Sequence, residues 1–299
     1  EDEDAQPVAL QVVDNVLNQG QGEHLFATGL VPAESPGAIG SSSGQDTAPF
    51  GNLAVNCRFR ASDLEASCLV NTGVFASPRA GATQACFLRN EEGLCEEFTL
   101  IGGSNSTEAR VGELFVPGTP EANGKFVKLD SDGADMLRRA KFSQTLETSE
   151  GKVLSVGGTN EQLFEGPPNL PTMLLTLEDS DTDAPTLTAD PLSGKSAFGG
   201  IEATFRSHHQ AVELLDGDIL VTGGLNSENL PTSQVLILDT ENEEYRDAAL
   251  KMNRPRFGHQ AIRINAGLLR GGVLVTGGMS VNSDDGEPYF VRTTEIFVP

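Results

Sequence analysis

A short apolar strand that runs straight into two adjacent glycines occurs four times in this chain, and that recurrence limits the folds open to it. The copies are Thr99-Leu100-Ile101-Gly102-Gly103, Val153-Leu154-Ser155-Val156-Gly157-Gly158, Ile219-Leu220-Val221-Thr222-Gly223-Gly224 and Val273-Leu274-Val275-Thr276-Gly277-Gly278. The steps between first glycines are 55, 66 and 54 residues. A degenerate copy, Leu25-Phe26-Ala27-Thr28-Gly29, stands 73 residues before Gly102. Self-similarity at this spacing marks a repeat architecture, in which one small unit is copied and each copy buries its faces on its neighbours.

The flanks repeat in phase with the glycines. Two copies are preceded by Arg206-Ser207-His208-His209-Gln210-Ala211 and by Arg256-Phe257-Gly258-His259-Gln260-Ala261. Arg79 and Arg139 hold similar places before the other two. A tight-turn dipeptide, Asp216-Gly217 or Glu150-Gly151, separates this segment from the glycine strand. Such dipeptides suit hairpins, because glycine accepts positive φ. Third strands follow at Gly112–Pro117, Thr172–Leu177, Gln234–Asp239 and Thr294–Pro299, and a fourth is exemplified by Lys125–Leu129. The unit is therefore a four-stranded antiparallel sheet. No segment holds a long 3.6-residue period, so helix should be scarce and the fold all-β.

This pattern resembles the kelch repeat. The resemblance rests on the paired glycines after an apolar strand, on the upstream Arg and His-Gln-Ala, and on the downstream Glu295-Ile296-Phe297-Val298-Pro299. It covers residues 79–299 well and 7–78 weakly. It implies a single β-propeller domain over 1–299, with four-stranded blades near 7–78, 79–130, 131–190, 200–250 and 251–299. That is about five blades; six would also be compatible with the spacing. In this reading Gly102, Gly103, Gly157, Gly158, Gly223, Gly224, Gly277, Gly278, Arg206, His209, Arg256 and His259 are structural repeat positions, the histidines bonded to a neighbouring blade's backbone. Kelch blades usually carry a Trp on the fourth strand, and this chain has none. Tyr245, Phe126 and Leu187 fall near the expected places. The ring closes either through a strand at Pro7–Val13 or, if that segment opens blade one, through a strand from a longer parent chain or a partner. Copper oxidases built on kelch-like propellers need two Tyr and two His. Here Tyr245 and Tyr289 lie in unrelated repeat positions, which argues against that centre.

The four cysteines, Cys57, Cys68, Cys86 and Cys95, lie in one stretch without zinc-type CxxC spacing. Each successive pair flanks a polar turn, so Cys57–Cys68 and Cys86–Cys95 are the expected disulfides. The other two connectivities, and free thiols, stay open. Disulfides imply an oxidising compartment: outside the cell, at the cell surface, or in a bacterial periplasm. The chain opens Glu1-Asp2-Glu3-Asp4 without Met or leader, as in a processed chain or an excised fragment. It holds 43 acidic against 20 basic residues, a formal net charge of −23. That charge opposes nucleic-acid and anionic-membrane partners and favours cations or basic ones. No apolar run is long enough to span a membrane.

Two acidic clusters carry alternating oxygens that suit Ca²⁺: Asp130, Asp132 and Asp135, and Asp179, Asp181 and Asp183. The bland alternative is solvated acidic turns, and in the second cluster Ala184 replaces the glycine of an EF-hand loop. A third acidic run is Asn282–Glu287. No other cofactor is indicated. Gly40–Gly44 matches a nucleophile elbow and Ala189–Ser196 a phosphate loop only on paper, since each lacks the strand–turn–helix setting. Asn105-Ser106-Thr107 is a glycosylation sequon. With no catalytic set in register, the expected role is a non-catalytic extracellular or cell-surface module that binds protein through loops 104–111 and 279–292. The alternatives are an enzyme with a metal-assisted site in the central channel, and a subunit of a surface filament.

Overall fold

The computed structural model describes residues 9–13, 23–28, 51–60, 65–69, 74–79, 82–89, 97–103, 110–116, 125–132, 134–160, 167–192, 195–196, 204–282 and 286–299. The fold is all-β. Helix among these residues amounts to little more than a 3-10 turn over Asp135–Arg139. The chain forms two compact units, Glu1–Arg138 with Thr176–Thr188, and Arg139–Leu175 with Ala189–Pro299.

In the first unit, β1 (Ala9–Val13), β2 (Glu23–Thr28), β3 (Gly51–Arg60) and β4 (Glu65–Leu69) pair in sequence order, and β5 (Val74–Arg79) pairs with β3. β1 pairs with β2, Ala9 opposite Thr28, so this segment opens the first sheet rather than closing the last one. The β3–β4 hairpin sets Cys57 directly opposite Cys68. β6 (Thr83–Cys86), β7 (Phe98–Ile101), β8 (Gly112–Val116) and β9 (Lys125–Asp132) follow as an antiparallel meander. Cys86 ends β6; Cys95 lies outside the described residues.

The same meander recurs in the second unit. β10 (Gln144–Glu147), β11 (Val153–Val156) and β12 (Met173–Glu178) pair in order. β13 (Thr186–Pro191) begins in the first unit, where its Thr186–Thr188 run parallel to β9. β14 (Lys195–Ser196) runs parallel to β18 (Glu244–Lys251), which closes the meander of β15 (Gln210–Glu213), β16 (Ile219–Thr222) and β17 (Gln234–Asp239). The last sheet joins β19 (Gln260–Arg263), β20 (Val273–Thr276) and β23 (Glu295–Phe297). A hairpin of β21 (Met279–Val281) and β22 (Pro288–Phe290) is inserted after its glycine pair. Ala189–Pro191 and Lys195–Ser196 are thus strand, not a phosphate loop.

Alternation along the strands gives the β15–β18 sheet an apolar face on each side. Leu154 and Val156 of β11 pack on Ala211, Ile219, Val221, Leu236 and Leu238. The opposite face of that second sheet, Leu220 and Ile237 with Val212, packs on Ala261, Val273 and Val275. The residues that stand where a Trp was sought are all fourth-strand residues. Tyr245 and Leu187 are buried, and Phe126 meets Phe115 with tilted rings at 5.2 Å.

The glycine pairs fasten one sheet to the next. All eight of these glycines have positive φ. A Cβ on Gly157 would stand 2.3 Å from the carbonyl oxygen of Arg206, and one on Gly223 2.5 Å from that of Arg256. The second glycine of these two pairs donates its N–H to the same carbonyl: Gly158 to Arg206 at 2.6 Å, Gly224 to Arg256 at 2.8 Å. Gly277 has the same left-handed φ but meets nothing within 4 Å among the described residues. Gly223→Ala should therefore cost about 3 kcal/mol or more, because main chain must move apart, whereas Gly277→Ala should cost only the φ strain of about 1 kcal/mol. Denaturant unfolding of the two variants measures the difference; equal losses would refute the seating of Arg256 over Gly223.

Candidate functional site

The repeat-equivalent polar residues meet at the seams between sheets of the second unit. Strand register aligns Arg206 with Arg256 and His209 with His259, each four and one residues before the first residue of β15 and β19. The same count before β10 reaches Ala140, so Arg139 is one place out of register and is not the third member of the set. Arg79 is in register before β6.

Arg256 is fully buried. Its Nη1 donates to the carbonyls of Gly277 at 3.1 Å and Thr293 at 2.9 Å, and its Nη2 reaches Thr293 Oγ1 at 3.1 Å and the Glu295 carboxylate. Arg206 donates to the Phe205 carbonyl at 2.7 Å and to Gln234 Oε1. Burial lowers its pKa to about 10. Both guanidiniums thus brace main chain and strand starts within their own sheets.

The histidines differ from the expected backbone-bonded role. His259 Nε2 shares a 2.8 Å hydrogen bond with Thr222 Oγ1, a side chain of the preceding sheet. His209 is buried with neither ring nitrogen bonded. The reason is visible in register: Thr222 and Val156 are equivalent, each the last residue before its glycine pair, and Val156 offers no hydroxyl. Burial lowers His209 to about 3, with the nearby Arg206 adding to the effect, and lowers His259 and His208 to about 4.

One step nearer the strand ends, Phe142, His208 and Gly258 share a left-handed φ of 56°, 53° and 61°. His208 N–H donates to the Phe142 carbonyl at 3.1 Å, and Gly258 N–H to the His208 carbonyl at 2.8 Å. The His208 ring stacks on Phe142 at 3.7 Å and meets Phe257 edge-on at 6.0 Å. Sequence reading did not single out this chain of equivalents; the shared position two residues before β10, β15 and β19 is the signal that could have found it.

The acidic clusters do not converge. Asp130 pairs with Arg110 at 3.0 Å, and Ser131 Oγ donates to Asp135 Oδ1 at 2.8 Å, while Asp132 points to solvent on β9. Asp179 caps a turn by accepting from Thr182 N–H at 3.0 Å, which leaves Asp181 and Asp183 exposed, the latter 3.7 Å from Lys125. Among the described residues no three His, Cys, Asp or Glu side chains stand close enough to hold a metal ion. Gly40–Gly44, Asn105 and residues 283–285 lie outside the described residues. A cleft of about 130 Å³ between hairpin ends is lined by Thr148, Lys152, Leu154, Glu213, Thr240 and Glu243. Its Glu213 already accepts from Ser149 N–H and Oγ at 2.6 and 2.8 Å.

The exposed aromatic residues among those described lie on the inserted hairpin. Phe290 is 73% exposed and Tyr289 is exposed beside it, both on β22. No helix among the described residues is long and apolar enough to cross a membrane.

No protein-family model matches the chain, and no curated protein matches it. It is similar to the solved structure of YjhT, with a TM-score of 0.57 and 17% identity over 91% of this chain and 78% of that one. The fold is β-propeller-like. At that identity the likeness concerns the fold alone.

Two outcomes follow from the seams. Thr222→Val should destabilise the protein by about 1–2 kcal/mol by orphaning His259, and Val156→Thr should gain up to about 1 kcal/mol by giving His209 a partner. Chemical denaturation measures both, and no gain from Val156→Thr would show that His209 cannot reach that position. The buried histidines bind protons only when unfolded above their lowered pKa values. Stability is therefore complete above about pH 6.5 and falls as pH drops towards 4, by a few kcal/mol. Melting curves between pH 6.5 and 5, where carboxylates stay ionised, should show this slope, and His209→Leu should flatten it.

Proposed function

We propose that this chain is a kelch-type β-propeller that acts as a non-catalytic binding or assembly module outside the cell or at its surface. The four phased glycine repeats and the YjhT-like fold support the kelch reading. Cys57 and Cys68, opposite each other across a hairpin, support one of two disulfides that we propose, the other being Cys86–Cys95, and with them an oxidising compartment.

The observation that carries the binding role is the exposed aromatic pair Tyr289 and Phe290, held on a two-stranded hairpin rather than on a slack loop. Exposed aromatics on a rigid support are the usual anchors of protein recognition, because they bury large area at low entropic cost. The buried histidines speak against chemistry at the seams, since burial holds them neutral and shut from solvent. The partner should be a protein surface with an apolar cleft, and the strongly acidic chain favours basic residues at its rim.

Cross-linking the purified chain to the surface of its source cells tests this. Phe290→Ala and Tyr289→Ala should each lower capture by about tenfold while leaving the unfolding free energy within about 0.5 kcal/mol. Capture that both variants leave untouched would overturn the assignment of the contact face.

A further inference from the structure

His209 and His259 hold equivalent places at two seams of the second unit, and the seams treat them differently. Each ring lies against the first glycine of the sheet before it. A Cβ on Gly157 would stand 3.0 Å from Cε1 of His209, and one on Gly223 2.9 Å from Cε1 of His259. His259 keeps a partner in either charge state. Thr222 Oγ1 donates to the Gln210 carbonyl at 3.5 Å and so is placed to accept from Nε2–H of His259 at 2.8 Å. A proton added to that imidazole leaves the bond in place. His209 is buried and has no hydrogen bond at either ring nitrogen. As an imidazolium it would carry two buried donors and no acceptor.

The charges around His209 offer no relief. The groups that act on it are Arg206, His259 and His208, each a cation when charged, and no carboxylate is among them. Arg206 itself faces the phenol of Tyr245, which burial keeps neutral. Lys141 is buried in the segment before β10, its carbonyl beside Gly158. Glu213 lies at the far end of β15, where it accepts from Ser149 N–H and Oγ. The closed seam therefore excludes a proton that an open seam, with the ring in water, takes up at about pH 6.5.

We propose that the seam between the β10–β12 sheet and the β15–β18 sheet is an acid-operated joint: protonation of His209 parts the two sheets locally while each stays folded. Three backbone donors cross this seam. Gly158 N–H donates to the Arg206 carbonyl, His208 N–H to the Phe142 carbonyl, and Ala211 N–H to Gln144 Oε1 at 2.9 Å. Each pH unit below about 6.5 favours the open state roughly tenfold, down towards the folded value of about 3. Opening uncovers the apolar packing of Leu154 and Val156 on Ala211 and Val221, so the acid form presents surface that the neutral form hides. The joint goes beyond the binding role proposed above and does not rest on it.

Hydrogen exchange of the full chain at about pH 7.5 and 5, corrected for the intrinsic exchange rate, tests it. The amides of Gly158, His208 and Ala211 should lose about thirtyfold or more in protection. At the lower pH they should exchange faster than Leu220 and Val221 on β16, and faster than Gly224 and Gly258, whose acceptors lie across the His259 seam. His209→Leu should remove about thirtyfold of that loss. His209→Gln, which cannot titrate but keeps a polar side chain, should do the same and serves if the leucine variant fails to fold. Glu213→Gln should leave the loss in place. Protection at Gly158, His208 and Ala211 that falls only in step with Leu220 and Val221 overturns the proposal, since acid then unfolds the chain as a whole. So does a loss that survives in the folded His209 variant, or one that Glu213→Gln abolishes.

Discussion

Main chain pressed against main chain at the paired glycines governs this structure. At Gly157 and Gly223 the carbonyl of the next sheet's arginine sits where a Cβ would be, and the following N–H takes that carbonyl as its acceptor. The contact is steric and polar at once. It sets the distance between sheets to within a methyl group, and it satisfies donors that a side chain at the first glycine would leave buried and unpaired. Everything else at the seams is arranged around that fixed spacing.

Given the spacing, the strands must be apolar on both sides. A sheet open to water on one face reads as alternation of apolar and polar residues, whereas one enclosed on both reads as an unbroken apolar run. Val153–Val156 and Ile219–Thr222 are such runs, and they are buried throughout. Val273–Thr276 has the same composition, and buried and half-buried positions alternate along it.

Much of this was readable before any coordinates. The glycine strands, their hairpin partners and the third strands appear at the predicted positions within a residue or two, because period-2 burial and the left-handed glycines leave direct marks on sequence. The Cys57–Cys68 opposition was readable from turn length. Three features were not. Arg139 looked like a repeat arginine, but pairing of Gln144 with Val156 puts Ala140 in that place; a one-residue slip changes which residue faces the seam and is invisible without register. The partners of the aspartates were not legible either: Asp130 pairs with Arg110, and the Asp179 carbonyl accepts from Thr182 N–H. The inserted hairpin read as loop, since Met279–Val281 and Pro288–Phe290 are three-residue strands, too short to display a period.

The histidines explain why the glycines, and not the side-chain pairs, repeat without exception in the four copies. His259 has its Thr222 hydroxyl; His209 faces Val156 and goes without. A lost hydrogen bond of this kind costs on the order of 1 kcal/mol, and an imidazole kept neutral by burial tolerates it. A Cβ driven to 2.3 Å from a carbonyl has no such tolerance, because relief requires the two sheets to separate and every apolar contact along the seam to loosen with them. The side-chain layer can therefore drift copy by copy while the backbone seat cannot. That ordering of costs leaves the seam chemically inert but geometrically strict, and it frees the rim and the inserted hairpin, which carry none of the spacing, to vary.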